Sequence, residues 1–169
     1  ISSILQSAGL NVGLYTSPHL VSLNERIQIN NKCISDTYID EFIKKYKQVI
    51  HSNSSTFFET MTVLALHFFK ENNVDVAILE TGLGGEYDSV TACKPSLQIF
   101  TSIAKDHMHI LGDDIKKIAT TKAHAIQTGI PCISVTQNKE VKAILDNTAK
   151  ARSTSIDYNI GKFHKDYVS

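Results

Sequence analysis

The sequence has no tryptophan, three prolines and three cysteines in 169 residues. So little proline, with eight glycines and no repeat, excludes collagenous and proline-rich architectures. Cys33, Cys93 and Cys132 form no C-x-x-C or C-x-x-H pair, which argues against a zinc ribbon or finger. Their odd number and wide spacing fit reduced thiols in a cytoplasm better than a disulfide framework. Net charge is absent as well: 17 basic residues balance 17 acidic ones. A nucleic-acid or membrane-surface binder needs an excess of Lys and Arg, so neither partner is expected. No apolar run approaches the roughly 20 residues that span a bilayer, and no signal-peptide pattern is visible. The phosphate-binding pattern G-x-x-x-x-G-K-[ST] is missing from the sequence. What is present is a composition that is 42% hydrophobic and 20% charged, enough to bury the core of one domain. A monomer is expected.

Periodicity predicts alternating helices and strands. Ile1, Ile4, Leu5 and Ala8 lie on one helical face, and Gly9 is placed to stop that helix. The pattern begins on Ile1 rather than Met and has no cap, so further sequence upstream is expected. Val12–Thr16 reads as a buried strand broken by Pro18, and Arg26–Ile29 as an edge strand before an Asn30-Asn31 turn. Ser35 or Asp36 caps a helix bearing Ile39, Phe42, Ile43, Tyr46 and Ile50. Residues 56–72 form a second helix, apolar around most of its circumference and expected to be largely buried. Val74–Leu79 and Leu97–Ile103 read as buried strands. Asp113 caps a helix to about Gln127, ended by Gly129-Ile130-Pro131. A strand at Cys132–Val135, a helix at Glu140–Lys150 and a short strand at Ser155–Tyr158 follow. The fold class is α/β, a mostly parallel sheet with helices on both faces, read as one domain.

In such sheets ligands bind beyond the carboxyl ends of the strands. Topology alone therefore brings Ser17, Glu80 and Asp106-His107 to one edge, a set able to hold a divalent cation. Glu80 closes an apolar strand as a Walker-B acid does beside phosphates; it is equally an ordinary strand-end carboxylate. A histidine ligand is atypical for magnesium and suits manganese equally. Gly82-x-Gly84-Gly85 is half of a phosphate fingerprint or a sharp turn requiring positive φ. Lys122 shares an apolar helical face with Ile115, Ile118, Ala119 and Ile126, where a charge is costly. It snorkels, meets a carboxylate or loses its proton, and a neutral amine can react with carbon dioxide to a carbamate. Thr56-Phe57-Phe58-Glu59 fits a capping box; it also sets two aromatics and an acid at a helix start, suited to a flat ring with amide edges. His67, among apolar neighbours, reads as a packing residue.

The motifs Gly13-Leu-Tyr-Thr-Ser-Pro-His-Leu20, Asn24-Glu-Arg-Ile27, Thr56-Phe-Phe-Glu59, Leu79-Glu-Thr-Gly-Leu-Gly-Gly85 with Asp88, Asp106-His107 with Leu111-Gly112-Asp113, Lys122-Ala123 and Gly129-Ile-Pro131 stand in order along the chain. Together they resemble the folylpolyglutamate synthase and dihydrofolate synthase family of the Mur-ligase group. The resemblance runs from Ile1 to about Val135. It implies the central, P-loop-NTPase-like domain of a ligase that uses ATP to turn a carboxylate into an acyl phosphate. L-glutamate then displaces phosphate, and the acceptor is dihydropteroate or a folate. By position, Ser17, Glu80 and His107 match the magnesium ligands, with His107 also counted as catalytic. Lys122 matches a carbamylated catalytic lysine. Thr56, Phe57, Phe58 and Glu59, with Tyr87, Asp88 and Ser89, match segments that contact the pterin, so cap and contact coexist.

The departures are specific. The family's glycine-rich phosphate loop is expected just upstream of Ile1 and its C-terminal domain beyond residue 169, so the chain alone is expected to be inactive. Glu86-Tyr87-Asp88-Ser89-Val90-Thr91 stands where Arg-Leu-Asp-Ala-Thr-Asn is common, and His124 and Gln127 replace a common glycine and lysine. Two other readings remain: a non-catalytic truncated remnant of the family, or another Mur-type amino-acid ligase.

Overall fold

The computed structural model describes residues 1–85, 87–104 and 114–158. They form two compact units, Ile1–Gly82 and a second beginning at Leu83. The sequence shows no linker there because the division falls inside the glycine turn rather than in a polar spacer.

In the first unit, helix α1 (Ser2–Ser7) leads into strand β1 (Val12–Tyr15), followed by β2 (Ile27–Ile29) and β3 (Lys32–Cys33). Helices α2 (Asp36–Ser52) and α3 (Phe57–Glu71) then precede β4 (Val76–Leu79). The sheet order is β3-β2-β1-β4. Gly9 adopts φ +87 and its N–H reaches the Gln6 carbonyl at 2.9 Å, the predicted left-handed stop. Helix α1 fully buries none of its residues: Leu5 is half-buried, whereas Ile4 is 73% exposed. The predicted edge strand at Arg26–Ile29 is instead an inner one. It pairs antiparallel with β1 and with β3, a strand too short to show a period. Asn30 (φ 49) and Asn31 (φ 64) make the β2–β3 turn, as asparagine tolerates the left-handed region.

Ser35 caps α2, its Oγ accepting from the Tyr38 N–H at 3.2 Å. Helix α3 is half-buried rather than largely buried: Met61, Thr62, Leu64, Ala65 and Phe69 are inside, whereas Phe57, Val63 and Leu66 are exposed. An apolar circumference raises hydrophobicity without saying how many neighbours a helix has. The Phe69 ring passes so close to Gly13 that a Cβ there would sit 2.7 Å from it, which sets α3 against β1. His67 is indeed a packing residue, ringed by Tyr38, Phe42 and Tyr46 at centroid distances of 6.2, 5.3 and 5.6 Å.

The second unit holds β5 (Gln98–Phe100), α4 (Ile115–Ala123), β6 (Cys132–Ser134), α5 (Lys139–Ala151) and β7 (Ile156–Asp157). Its sheet, β5-β6-β7, is parallel throughout. The first sheet is mixed, with only β1–β4 parallel. The α/β class holds, with the described strands in two sheets in place of one. Ile118, Ala119 and Ala123 from α4 and Val141, Leu145 and Ala149 from α5 meet Phe100 and Cys132 in one apolar core. Asp114 caps α4 through Lys116 N–H (2.9 Å); the expected cap Asp113 lies outside the described residues.

Candidate active site

Strands β1 and β4 are parallel, with Tyr15 opposite Leu79. Their carboxyl ends therefore deliver the next residues to the same edge. Glu80 continues the ladder through its N–H to the Tyr15 carbonyl (2.9 Å), and its Oε2 accepts the Ser17 N–H at 2.8 Å. The structure thus brings two of the residues expected to hold a cation to one edge, in contact through the Ser17 backbone amide rather than its hydroxyl. The second oxygen of exposed Glu80 has no hydrogen bond among the described residues. His107 lies outside the described residues, as do Asp106 and Leu111-Gly112-Asp113. No cluster of three His, Cys, Asp or Glu side chains occurs among the described residues. The pair at hand is a hydroxyl and a carboxylate, hard oxygen donors suited to magnesium or manganese.

The loop from Ser17 to Arg26 begins with a cis Ser17-Pro18 peptide. Its shape depends on Glu25, whose carboxylate accepts from the N–H groups of Leu20 (2.9 Å), Val21 (3.0 Å) and Ser22 (2.7 Å). The Leu20 and Ser22 amides hold its pKa below the ordinary value. Sequence reading missed Glu25, although Ser22-x-x-Glu25 has the same spacing as Thr56-x-x-Glu59. Inside this loop's hold, Arg26 Nε donates to His19 Nδ1 at 2.9 Å, and the guanidinium lies 5.4 Å from the Phe57 ring centroid.

Thr56–Glu59 is a complete capping box. Glu59 Oε2 accepts from the Thr56 N–H (2.7 Å) and hydroxyl (2.8 Å), while Thr56 Oγ1 accepts from the Glu59 N–H (3.2 Å). These bonds lower the Glu59 pKa. Phe57 stays 57% exposed, whereas Phe58 is half-buried. The Phe58 ring stands 5.7 Å from that of Tyr15 and fills the space beside Gly82, where a Cβ would meet it at 2.5 Å. The cap uses both functional groups of the box and leaves the Phe57 ring exposed, with the Arg26 guanidinium over it.

Lys122 is half-buried near the end of α4, one turn from fully buried Ile118, Ala119 and Ile126. The glycine loop packs on this end of the helix. A Cβ on Gly85 would lie 2.8 Å from Thr121 O and Ala125 N and 3.0 Å from Lys122 O. Gly84 takes φ +68, the positive value expected of this turn. Tyr87 is 94% exposed, and Ser89 starts a 3₁₀ turn, Ser89–Ala92. Asp88 is buried; its oxygens accept from Leu83 N–H and Val90 N–H, both at 2.9 Å. Asp88 is therefore first a loop organiser.

A hydroxyl-bearing residue and a carboxylate at the carboxyl edge of parallel strands are the arrangement from which α/β proteins commonly bind ligands. Within that class the chain belongs to the Mur ligase family: residues 28–169 match the Mur ligase middle domain. It is 39% identical over 157 residues to the dihydrofolate synthase/folylpolyglutamate synthase of Bacillus subtilis, covering 89% of this chain and 36% of that protein. Similar solved structures include E. coli FolC in complex with DHPP and ADP (TM-score 0.84, 32% identity, 92% of this chain and 37% of that one). Another is the bifunctional folylpolyglutamate synthase/dihydrofolate synthase of Yersinia pestis with AMPPNP and a Mn ion (TM-score 0.83, 32% identity, 92% and 37%). The chain thus spans little more than a third of the length of these relatives.

Proposed function

We propose that these residues are the central ATP-binding portion of a longer ligase that joins L-glutamate to dihydropteroate or a folate through an acyl phosphate. The observation that carries this is the meeting of Ser17 and Glu80 at the ends of β1 and β4, in a chain 39% identical to such a synthase. The relatives bound to ADP, or to AMPPNP with Mn, support a nucleotide and a divalent cation as ligands of the longer protein.

Each residue then has a part. Ser17 and Glu80, with His107, hold the cation, taken here as magnesium. When bound, it screens the repulsion between the terminal phosphate and the acceptor carboxylate and orients their approach. The Ser17 amide fixes the Glu80 carboxylate in advance, so little reorganisation is needed on binding. Lys122, as a carbamate, adds negative charge to organise this site; as a free amine it cannot. Phe57 and Phe58 offer aromatic faces to a pterin, and Tyr87, Asp88 and Ser89 are assigned to the same substrate by their match to the family's contact segment. The phosphate loop is placed upstream of Ile1 and a second domain beyond residue 169. The enzyme is read as a cytoplasmic monomer; among the described residues no helix is long and apolar enough to cross a membrane.

The test is ATP-dependent incorporation of labelled glutamate by the full-length gene product, with E80Q and H107A alongside. Loss of about two orders of magnitude in turnover, with the fold intact by circular dichroism, is expected. Undiminished turnover in both variants overturns the assigned roles. A gene with a start codon immediately before Ile1, and no GKG[ST] in frame, would make the chain a remnant instead.

A further inference from the structure

The segment from Leu83 to Cys93 carries Tyr87, Asp88 and Ser89. Asp88 organises it from within. One hold from outside comes from Gln127, just beyond α4. Its Nε2 donates to the carbonyls of Thr91 (2.8 Å) and Cys93 (2.7 Å), which flank the end of the 3₁₀ turn. Gln127 is itself fixed, since its backbone N–H donates to Gln98 Oε1 at 2.8 Å. Gln98 Nε2 in turn donates to the Ala125 carbonyl at 2.5 Å. A strand residue therefore pins the exit of α4, and that exit pins the loop. The same stretch of α4 presents the Lys122 carbonyl to Gly85, so the loop is docked on the helix end that carries Lys122.

We infer that Gln127 is a positioning residue that sets the acceptor-contacting loop against the Lys122 end of α4. This rests on the reading of Tyr87–Ser89 as an acceptor contact. The chemistry of the side chain makes the inference specific. Two carbonyls converge on one nitrogen, and a primary amide supplies two N–H donors from that atom. An ammonium supplies three, so lysine at this position performs the same task. A carboxylate sets lone pairs against lone pairs, and alanine leaves both carbonyls without this partner.

The test uses the full-length enzyme with Q127A, Q127E and Q127K. Steady-state constants for the pteroate or folate acceptor and for ATP are measured, with amide hydrogen exchange of residues 83–93 in the absence of ligands. Losing both neutral hydrogen bonds is expected to raise the acceptor KM of Q127A about tenfold, equivalent to about 1.4 kcal/mol. The ATP KM stays within about threefold, and exchange in 83–93 accelerates. Q127E behaves like Q127A or worse, while Q127K returns to within about threefold of wild type. An unchanged acceptor KM and unchanged exchange in Q127A overturn the inference. So does a parallel rise in both KM values, or a Q127K that behaves like Q127A. A wild-type enzyme that ligates no glutamate sinks the functional reading instead, and the exchange comparison still judges the clamp.

Discussion

Replacing Gly85 by alanine tests the packing of the glycine loop on α4 with a single methyl group. The added Cβ would stand 2.8 Å from Ala125 N and Thr121 O and 3.0 Å from Lys122 O. All three are backbone atoms at a helix end, so no side chain can rotate away. Overpacking of a filled site costs about 1–3 kcal/mol, and backbone neighbours put this case near 3. Gly9→Ala is the matched control. Gly9 has φ +87 but nothing within 4 Å of its Cβ position, so it suffers only the left-handed penalty of about 1 kcal/mol. Urea denaturation, followed by circular dichroism and by exchange in 83–93, separates the two. A difference of about 2 kcal/mol moves the midpoint by roughly 1 M for a urea slope of ordinary size. The G85A effect is expected in the second unit and the G9A effect in the first. If G85A shifts the midpoint no more than G9A and leaves exchange in 83–93 alone, the loop does not rest on the α4 backbone and the reasoning fails.

Two further outcomes follow from the chemistry of single groups. The Thr56 amide and hydroxyl hold the Glu59 carboxyl below its ordinary pKa, so its contribution to the α3 cap is present above the unfolded-state pKa and lost as pH falls through the lower folded value. In an acid titration of stability E59Q should flatten this part of the curve, and a slope identical to wild type would contradict it. Exposed Cys33 should react with a maleimide well before Cys132, whose thiol is buried and pushed up in pKa by that burial. Mass mapping that finds Cys132 labelled first would show the second unit opening more readily than its core implies.

The legible parts were those set by local chemistry. Thr56–Glu59, Ser35 and the Asn30-Asn31 turn announce themselves because each satisfies or shapes nearby backbone. Gly9, Gly84 and Gly129 all take the positive φ that their positions call for. The juxtaposition of Ser17 with Glu80 was legible too, since parallel strands must deliver their following residues to one edge. Burial was not. Helix α3 and strand β5 read as buried, yet Val63 is 56% and Ile99 44% exposed, because hydrophobicity reports preference rather than neighbours.

By itself the sequence determined the α/β class, most element positions, the strand-end pair and the Mur-ligase kinship, all written in periods, caps and contiguous motifs. Only the tertiary structure decided which bonds hold those motifs still. Gln127 reaches Thr91 and Cys93 across more than 30 positions of chain, with hydrogen-bond separations of 36 and 34 residues. Gln98 meets the α4 exit across a separation of 27. An amide side chain has no periodicity and no fixed partner. Its role exists only once folding has carried two distant carbonyls to within 3 Å of one nitrogen.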